Sequence, residues 1–178
     1  WTHPKGKGDH ISPSKPSVTS AINPQVAMDK NDNALIVWQQ SDGKNNQIFM
    51  SEYRGGKWNH PDNLSDNISI SGQSAGNPQV NMNNKGHVAI VWQQSDGKIS
   101  RIYKSEYLNG GWSHPGGFGD YVGVIESNAK SATYPQVSLD DNGNMLIVWQ
   151  QSDDKTSQVY KSEYRNGRWS HPANADDN

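Results

Sequence analysis

Five consecutive apolar residues, Val88 to Trp92, give way without transition to the polar run Gln93-Gln94-Ser95-Asp96. A run too short for a helix and apolar at both odd and even positions reads as a strand covered on both faces. The same pattern recurs at Ala34 to Trp38, followed by Gln39-Gln40-Ser41-Asp42, and at Met145 to Trp149, followed by Gln150-Gln151-Ser152-Asp153. Weaker segments flank each run. Upstream of Val88, a strand from Gln79 to Met82 ends in the turn cluster Asn83-Asn84-Lys85-Gly86. Downstream, Arg101 to Tyr107 alternates, with Ile102, Lys104 and Glu106 on one face and Tyr103, Ser105 and Tyr107 on the other. Asn109-Gly110 then predicts a tight hairpin into a short strand at Trp112, stopped by Pro115.

Four such segments form one unit, and the unit occurs three times. Pro-Gln-Val stands at Pro24, Pro78 and Pro135, Ser-Glu-Tyr at Ser51, Ser105 and Ser162, and Trp-x-His-Pro at Trp58, Trp112 and Trp169, a period of roughly 54 to 57 residues. The chain opens on a fourth copy of the last element alone, Trp1-Thr2-His3-Pro4. A four-stranded antiparallel unit that is apolar on both faces cannot keep water off its core alone, so the predicted fold is all-β: a β-propeller of stacked blades. The expected divisions are residues 1–22 (outer strand of a preceding blade and its crossover), 23–76 (blade 1), 77–133 (blade 2) and 134–178 (blade 3). Apolar spacing of two rather than 3.6 argues against a helical solenoid.

Composition narrows the partners. Only 31% of residues are hydrophobic, which fits thin apolar strips between many polar loops. A net charge of −2 leaves no basic footprint for nucleic acid or an anionic membrane, and there is no cysteine for disulfides or thiolate metal sites. No apolar run reaches the ~18 residues that span a bilayer. The start in mid-repeat leads us to expect a processed or excised segment of a secreted or cell-surface bacterial protein, without a cofactor.

Ser51-Glu52-Tyr53-Arg54-Gly55-Gly56-Lys57-Trp58 resembles the Asp-box of sialidase-type propeller blades, Ser-x-Asp-x-Gly-x-x-Trp, and Ser105 to Trp112 and Ser162 to Trp169 fall in the same register. The Asp position holds Tyr53, Tyr107 and Tyr164, and the Gly has moved to Gly110 and Gly167 in the later copies. The resemblance implies blades and a folding hairpin away from any active site; it implies no chemistry.

Propellers close with roughly four to eight blades. Three blades would leave on the order of several hundred Å² of apolar surface at each end, at ~25 cal/mol per Å². The expected remedy is either a second copy of the chain, giving six blades, or further blades of a longer parent.

Nearly interchangeable copies do not supply the asymmetric set of groups that catalysis needs. Trp58, Trp112 and Trp169 are expected to pack blades, and His3, His60, His114 and His171 to hydrogen-bond turns. The spacings Asp29-x-Asn31-x-Asn33 and Asp140-x-Asn142-x-Asn144 resemble short calcium loops but serve equally as turns. The ligand is expected on the face carrying the turns after each Gln-Gln-Ser-Asp run and the crossovers, whose sequences differ completely. Gln40, Asp42, Gln94, Asp96, Gln151 and Asp153 would form a polar ring there, with Phe118 and Tyr121 as the aromatic platform, suited to sugar hydroxyls. The preferred reading is a non-catalytic, lectin-like carbohydrate-binding propeller. A protein-interaction scaffold, an amplified repeat without ligand and a fragment of a sialidase-like hydrolase are the alternatives.

Overall fold

A computed structural model describes residues 3–14, 19–123, 129–153 and 155–173. Of the expected leading strand, Trp1 and Thr2 lie outside the described residues. Twelve strands form three four-stranded antiparallel sheets. The first holds β1 (Ala21–Met28), β2 (Ala34–Ser41), β3 (Asn46–Arg54) and β4 (Lys57–Asn59). β5 (Ala75–Met82), β6 (Val88–Ser95), β7 (Ser100–Leu108) and β8 (Gly111–Ser113) make the second, and β9 (Ala132–Leu139), β10 (Met145–Ser152), β11 (Ser157–Arg165) and β12 (Arg168–Ser170) the third. Each is a meander in chain order, hence a propeller blade whose first strand lies innermost.

The central strand of blade 2 is covered on both faces by neighbouring blades. Leu35, Val37 and Ile48 of blade 1 share a buried cluster with Val88, Ile90, Trp92 and Tyr103 of blade 2. Ala89, Val91 and Ile102, from the opposite face of blade 2, share another with Met145, Ile147, Trp149 and Tyr160 of blade 3. Alternation along β7 thus sends Tyr103 back toward blade 1 and Ile102 forward toward blade 3. In blade 1 the corresponding Trp38 and Phe49 are covered by Leu64 and Ile11, from loops.

Turn chemistry fixes the register. The two-residue loops Gly55-Gly56, Asn109-Gly110 and Asn166-Gly167 all have positive φ, from 52° to 85°, as hairpins of this length require. Asp29 Oδ1 accepts from the backbone N–H of Asn31 and Asn33 at 2.8 and 2.9 Å, and Asp140 Oδ1 from Asn142 and Asn144 at 2.8 Å each. Asn83 does the same for Lys85 and His87, so a carboxylate is not needed to build this turn.

The crossovers are more alike than their sequences led us to expect. Five residues after Pro4, Pro61 and Pro115 stand Asp9, Asp66 and Asp120, whose carboxylates accept from the N–H of Lys5, Asp62 and Gly116 at 3.0, 2.9 and 2.8 Å. One capped loop therefore begins every crossover. The intervening residues differ from one crossover to the next, which hides the similarity from a residue-by-residue comparison.

Candidate functional site

The second glutamine of each Gln-Gln pair lies inside its blade. Gln40, Gln94 and Gln151 are buried, and their Oε1 atoms accept from the indole N–H of Trp38, Trp92 and Trp149 at 3.0, 3.1 and 2.9 Å. Their Nε2 atoms donate to the crossover carbonyls of Pro13, Gln73 and Lys130 at 2.7, 3.0 and 2.9 Å. Asp42, Asp96 and Asp153 cap the following turns. Burial pushes the Asp42 and Asp96 carboxyls up, but the N–H groups of Asn45 and Lys44, and of Ile99 and Lys98, outweigh it and hold both below the usual range. The N–H groups of Thr156 and Lys155, with the Gln158 amide, push Asp153 down to about 2. Phe118 sits edge-on to Tyr103 with centroids 6.5 Å apart, and one face of Tyr121 is taken by the Arg101 guanidinium at 4.4 Å.

Gln39 and Gln93, the first glutamines of their pairs, reach the axial end of the molecule instead. The third and fourth residues of the innermost strands are Asn23-Pro24, Asn77-Pro78 and Tyr134-Pro135, and there two residues oppose one tryptophan: the pairing jumps from Ile22↔Gln39 to Gln25↔Val37, from Gly76↔Gln93 to Gln79↔Val91, and from Thr133↔Gln150 to Gln136↔Val148. The proline cannot donate to the ladder, so the strand bulges. The residue before it adopts positive φ: 54° at Asn23, 52° at Asn77 and 53° at Tyr134. Asn tolerates this conformation; Tyr pays a steric cost of order 1–2 kcal/mol.

These bulges carry a polar lattice from blade to blade. Gln39 Oε1 accepts from Asn77 N at 3.4 Å, and Gln93 Oε1 accepts from Tyr134 N at 2.9 Å and from Asn77 Nδ2 at 3.0 Å. A Cβ on Gly76 would stand 2.7 Å from Gln39 Oε1, so a side chain there would require the Gln39 amide to shift. Two adjoining cavities open here. One of about 460 Å³ is lined by Asn23, Gln39, Ser74, Asn77, Gln93 and Ser100, among others. The other, about 190 Å³, is lined only by Asn23, Gln25, Asn77, Pro78, Gln79, Tyr134, Pro135 and Gln136. Neither is lined by a charged side chain. Tyr134, 64% exposed, is the aromatic group at this mouth. Sequence reasoning missed these residues, although the variable slot before an invariant proline was visible.

The opposite, outer hairpins are built for packing. His60, His114 and His171 do not bond turns as expected; their Nδ1 atoms meet Ser51, Ser105 and Ser162 Oγ at 2.9, 2.8 and 2.8 Å. Each ring also stacks on its tryptophan, with centroids 5.4 to 5.7 Å apart, and Tyr53, Tyr107 and Tyr164 lie tilted against the same tryptophans. Tyrosine thus makes ring contacts in each of the three hairpins, and nothing else in them bears on the resemblance to an Asp-box.

No family model matches the chain, and no curated protein does. Solved structures match along most of its length. A protein of unknown function from Dyadobacter fermentans superposes with a TM-score of 0.59 at 12% identity, covering 90% of this chain and 56% of that one. An ulvan lyase of polysaccharide lyase family 25 gives 0.61 at 10% identity, over 84% and 40% of the two chains. A family 117 glycoside hydrolase from the marine bacterium Zobellia galactanivorans gives 0.57 at 13%, over 88% and 56%. The chain spans 40% to 56% of the length of these structures. The fold is that of a β-propeller.

Proposed function

We propose that the chain is a non-catalytic carbohydrate-binding propeller segment whose ligand, a neutral sugar, sits at the axial mouth. Tyr134 carries the reading. Its backbone is strained, its ring is largely exposed, and it gains little packing in return. Strain retained without a packing benefit is the mark of a functional position. An exposed ring offers a sugar an apolar face to stack on, and the amides of Gln25, Gln79 and Gln136 around it offer hydroxyls both donors and acceptors.

The absence of charge from the lining favours neutral over acidic sugars. Hydrolysis of glycosidic bonds ordinarily uses a pair of carboxylates about the scissile bond, and no carboxylate lines either axial cavity. Two of the similar solved structures are by name a polysaccharide lyase and a glycoside hydrolase, so the propeller is a scaffold that accommodates carbohydrate sites. A secreted or surface location accompanies the reading.

A glycan array followed by calorimetric titration tests it. The expected result is retention of one or more neutral glycans, with affinity reduced about tenfold, ~1.4 kcal/mol, by Tyr134→Ala. An array without a binder, or binding indifferent to both Tyr134→Ala and Gln136→Ala, overturns the reading.

A further inference from the structure

Three kinds of contact join each blade to the next, and each kind occurs twice. Ile68 N donates to Ile48 O at 2.8 Å, and one repeat later Val122 N donates to Ile102 O at 2.7 Å. Asn46 N donates to Ser74 Oγ at 3.3 Å, then Ser100 N to Ser131 Oγ at 3.1 Å. Asn77 N donates to Gln39 Oε1, then Tyr134 N to Gln93 Oε1.

One further step along each series leaves half a contact at either end of the chain. Val159, Ser157 and Gln150 on blade 3 stand where Ile102, Ser100 and Gln93 stand on blade 2. Ile11, Ser20 and Asn23 stand where Ile68, Ser74 and Asn77 stand before and on blade 2. The apolar surface tells the same story. Val159 is 70% exposed whereas Ile48 and Ile102 are 0% exposed, and Met28 is 61% exposed against 9% for Met82.

We propose that a second copy of this chain fills both ends, so that two copies of three blades close a six-bladed ring about a two-fold axis. Its occupant is specified by the pattern. Blade 3 needs an apolar crossover residue seven positions after a Trp-x-His-Pro proline and a serine three positions before the bulge, as Ile68 and Ser74 or Val122 and Ser131 supply, and Ile11 stands seven positions after Pro4 and Ser20 three before Asn23. The second copy's Ile11 N–H then donates to Val159 O, the second copy's Ser20 Oγ accepts from Ser157 N, and the second copy's Asn23 N–H donates to Gln150 Oε1. Each joint repeats contacts the chain already makes twice within itself, and a ring with a two-fold axis satisfies both ends at once. Closure also completes the axial mouth, which one copy lines on one side only. The inference is independent of any ligand.

Residues 1–4 repeat in sequence the outer element that ends blade 3, Trp169 to Pro172, so the joint does not need both. Removing residues 1–4 is therefore expected to preserve the pair.

The test is molar mass by light scattering and sedimentation, at tens of micromolar. The mass of two chains is expected, reverting to one chain in Val159→Arg with an unchanged far-ultraviolet spectrum. Because the chain lacks cysteine, Ile11→Cys mixed with Val159→Cys supplies an independent readout: oxidation should link one chain of each kind, and neither variant alone should link efficiently. A single-chain mass for the unaltered protein, or a ladder of ever larger masses from chains that add without closing, overturns the proposal. So does failure of the mixed cysteine variants to cross-link.

Discussion

Trp92 donates its indole N–H to Gln94 Oε1 at 3.1 Å, and Gln94 Nε2 passes the connection on to the carbonyl of Gln73 at 3.0 Å. One buried amide thus ties the central strand of blade 2 to the crossover that enters it. Replacement by leucine keeps the volume and leaves the indole nitrogen and the carbonyls without partners. Gln94→Leu is expected to lower stability by about 2–4 kcal/mol, since each orphaned buried group costs about 1–3 kcal/mol. Urea titration followed by tryptophan fluorescence measures it.

Tyr134 gives the opposite sign. Asn occupies the same bulge in blades 1 and 2, and its side chain tolerates positive φ better. Tyr134→Asn is expected to stabilise the chain by about 0.5–1 kcal/mol while weakening glycan binding, a trade between stability and function. Thermal melting and titration of the same sample check both halves.

Acid should loosen the outer hairpins. Burial pushes the His114 imidazole down, and burial together with nearby Lys104 pushes His171 down. A histidine with a folded pKa below its unfolded value takes up protons more readily when unfolded, so stability falls as pH drops below about 6.5 and levels off beneath the folded values. Melting temperature is expected to decline from pH 7.5 to 5, and less steeply in His114→Asn. The caps respond in a separate window. Asp153, held down to about 2, contributes stability that is present above the unfolded value of 3.8 and lost as pH falls toward 2.

Blade 1 also grips blade 2 through Arg54, whose guanidinium lies 4.0 Å over the Tyr107 ring while its Nε donates to Glu52 Oε1 at 2.8 Å. Arg54 Nη2 is buried without a hydrogen-bond partner among the described residues, and the Glu52 carboxylate and the Tyr107 ring together compensate the guanidinium. Arg54→Ala and Tyr107→Leu are each expected to cost about 1 kcal/mol or more, and to show coupling near 1 kcal/mol in a double-mutant cycle.

The blades were legible because their signals are local and repeated. Asn109-Gly110 dictates a two-residue hairpin wherever it occurs between strands, and Val88 to Trp92 can be satisfied only by cover on both faces. The axial site was less legible. Gln93 and Gln94 are adjacent and chemically identical; alternation along β6 puts Gln94 on the face of Trp92, while Gln93 finds its partner only at the bulge of the next blade. Nor does exposure follow from residue type: Tyr103 is buried under a crossover, and Tyr134 is exposed where a crossover has already passed. The common start of the crossovers escaped notice because a single aspartate, Asp9, Asp66 or Asp120, carries it.

Each innermost strand is dented by a proline that has no hydrogen to give, and the dent sets aside one position whose side chain the ladder does not use. Asparagine, asparagine and tyrosine occupy that position here. A propeller assembled from such units can exchange the groups around its opening one residue per repeat, so its preference for a ligand can drift while the walls that hold it stay the same.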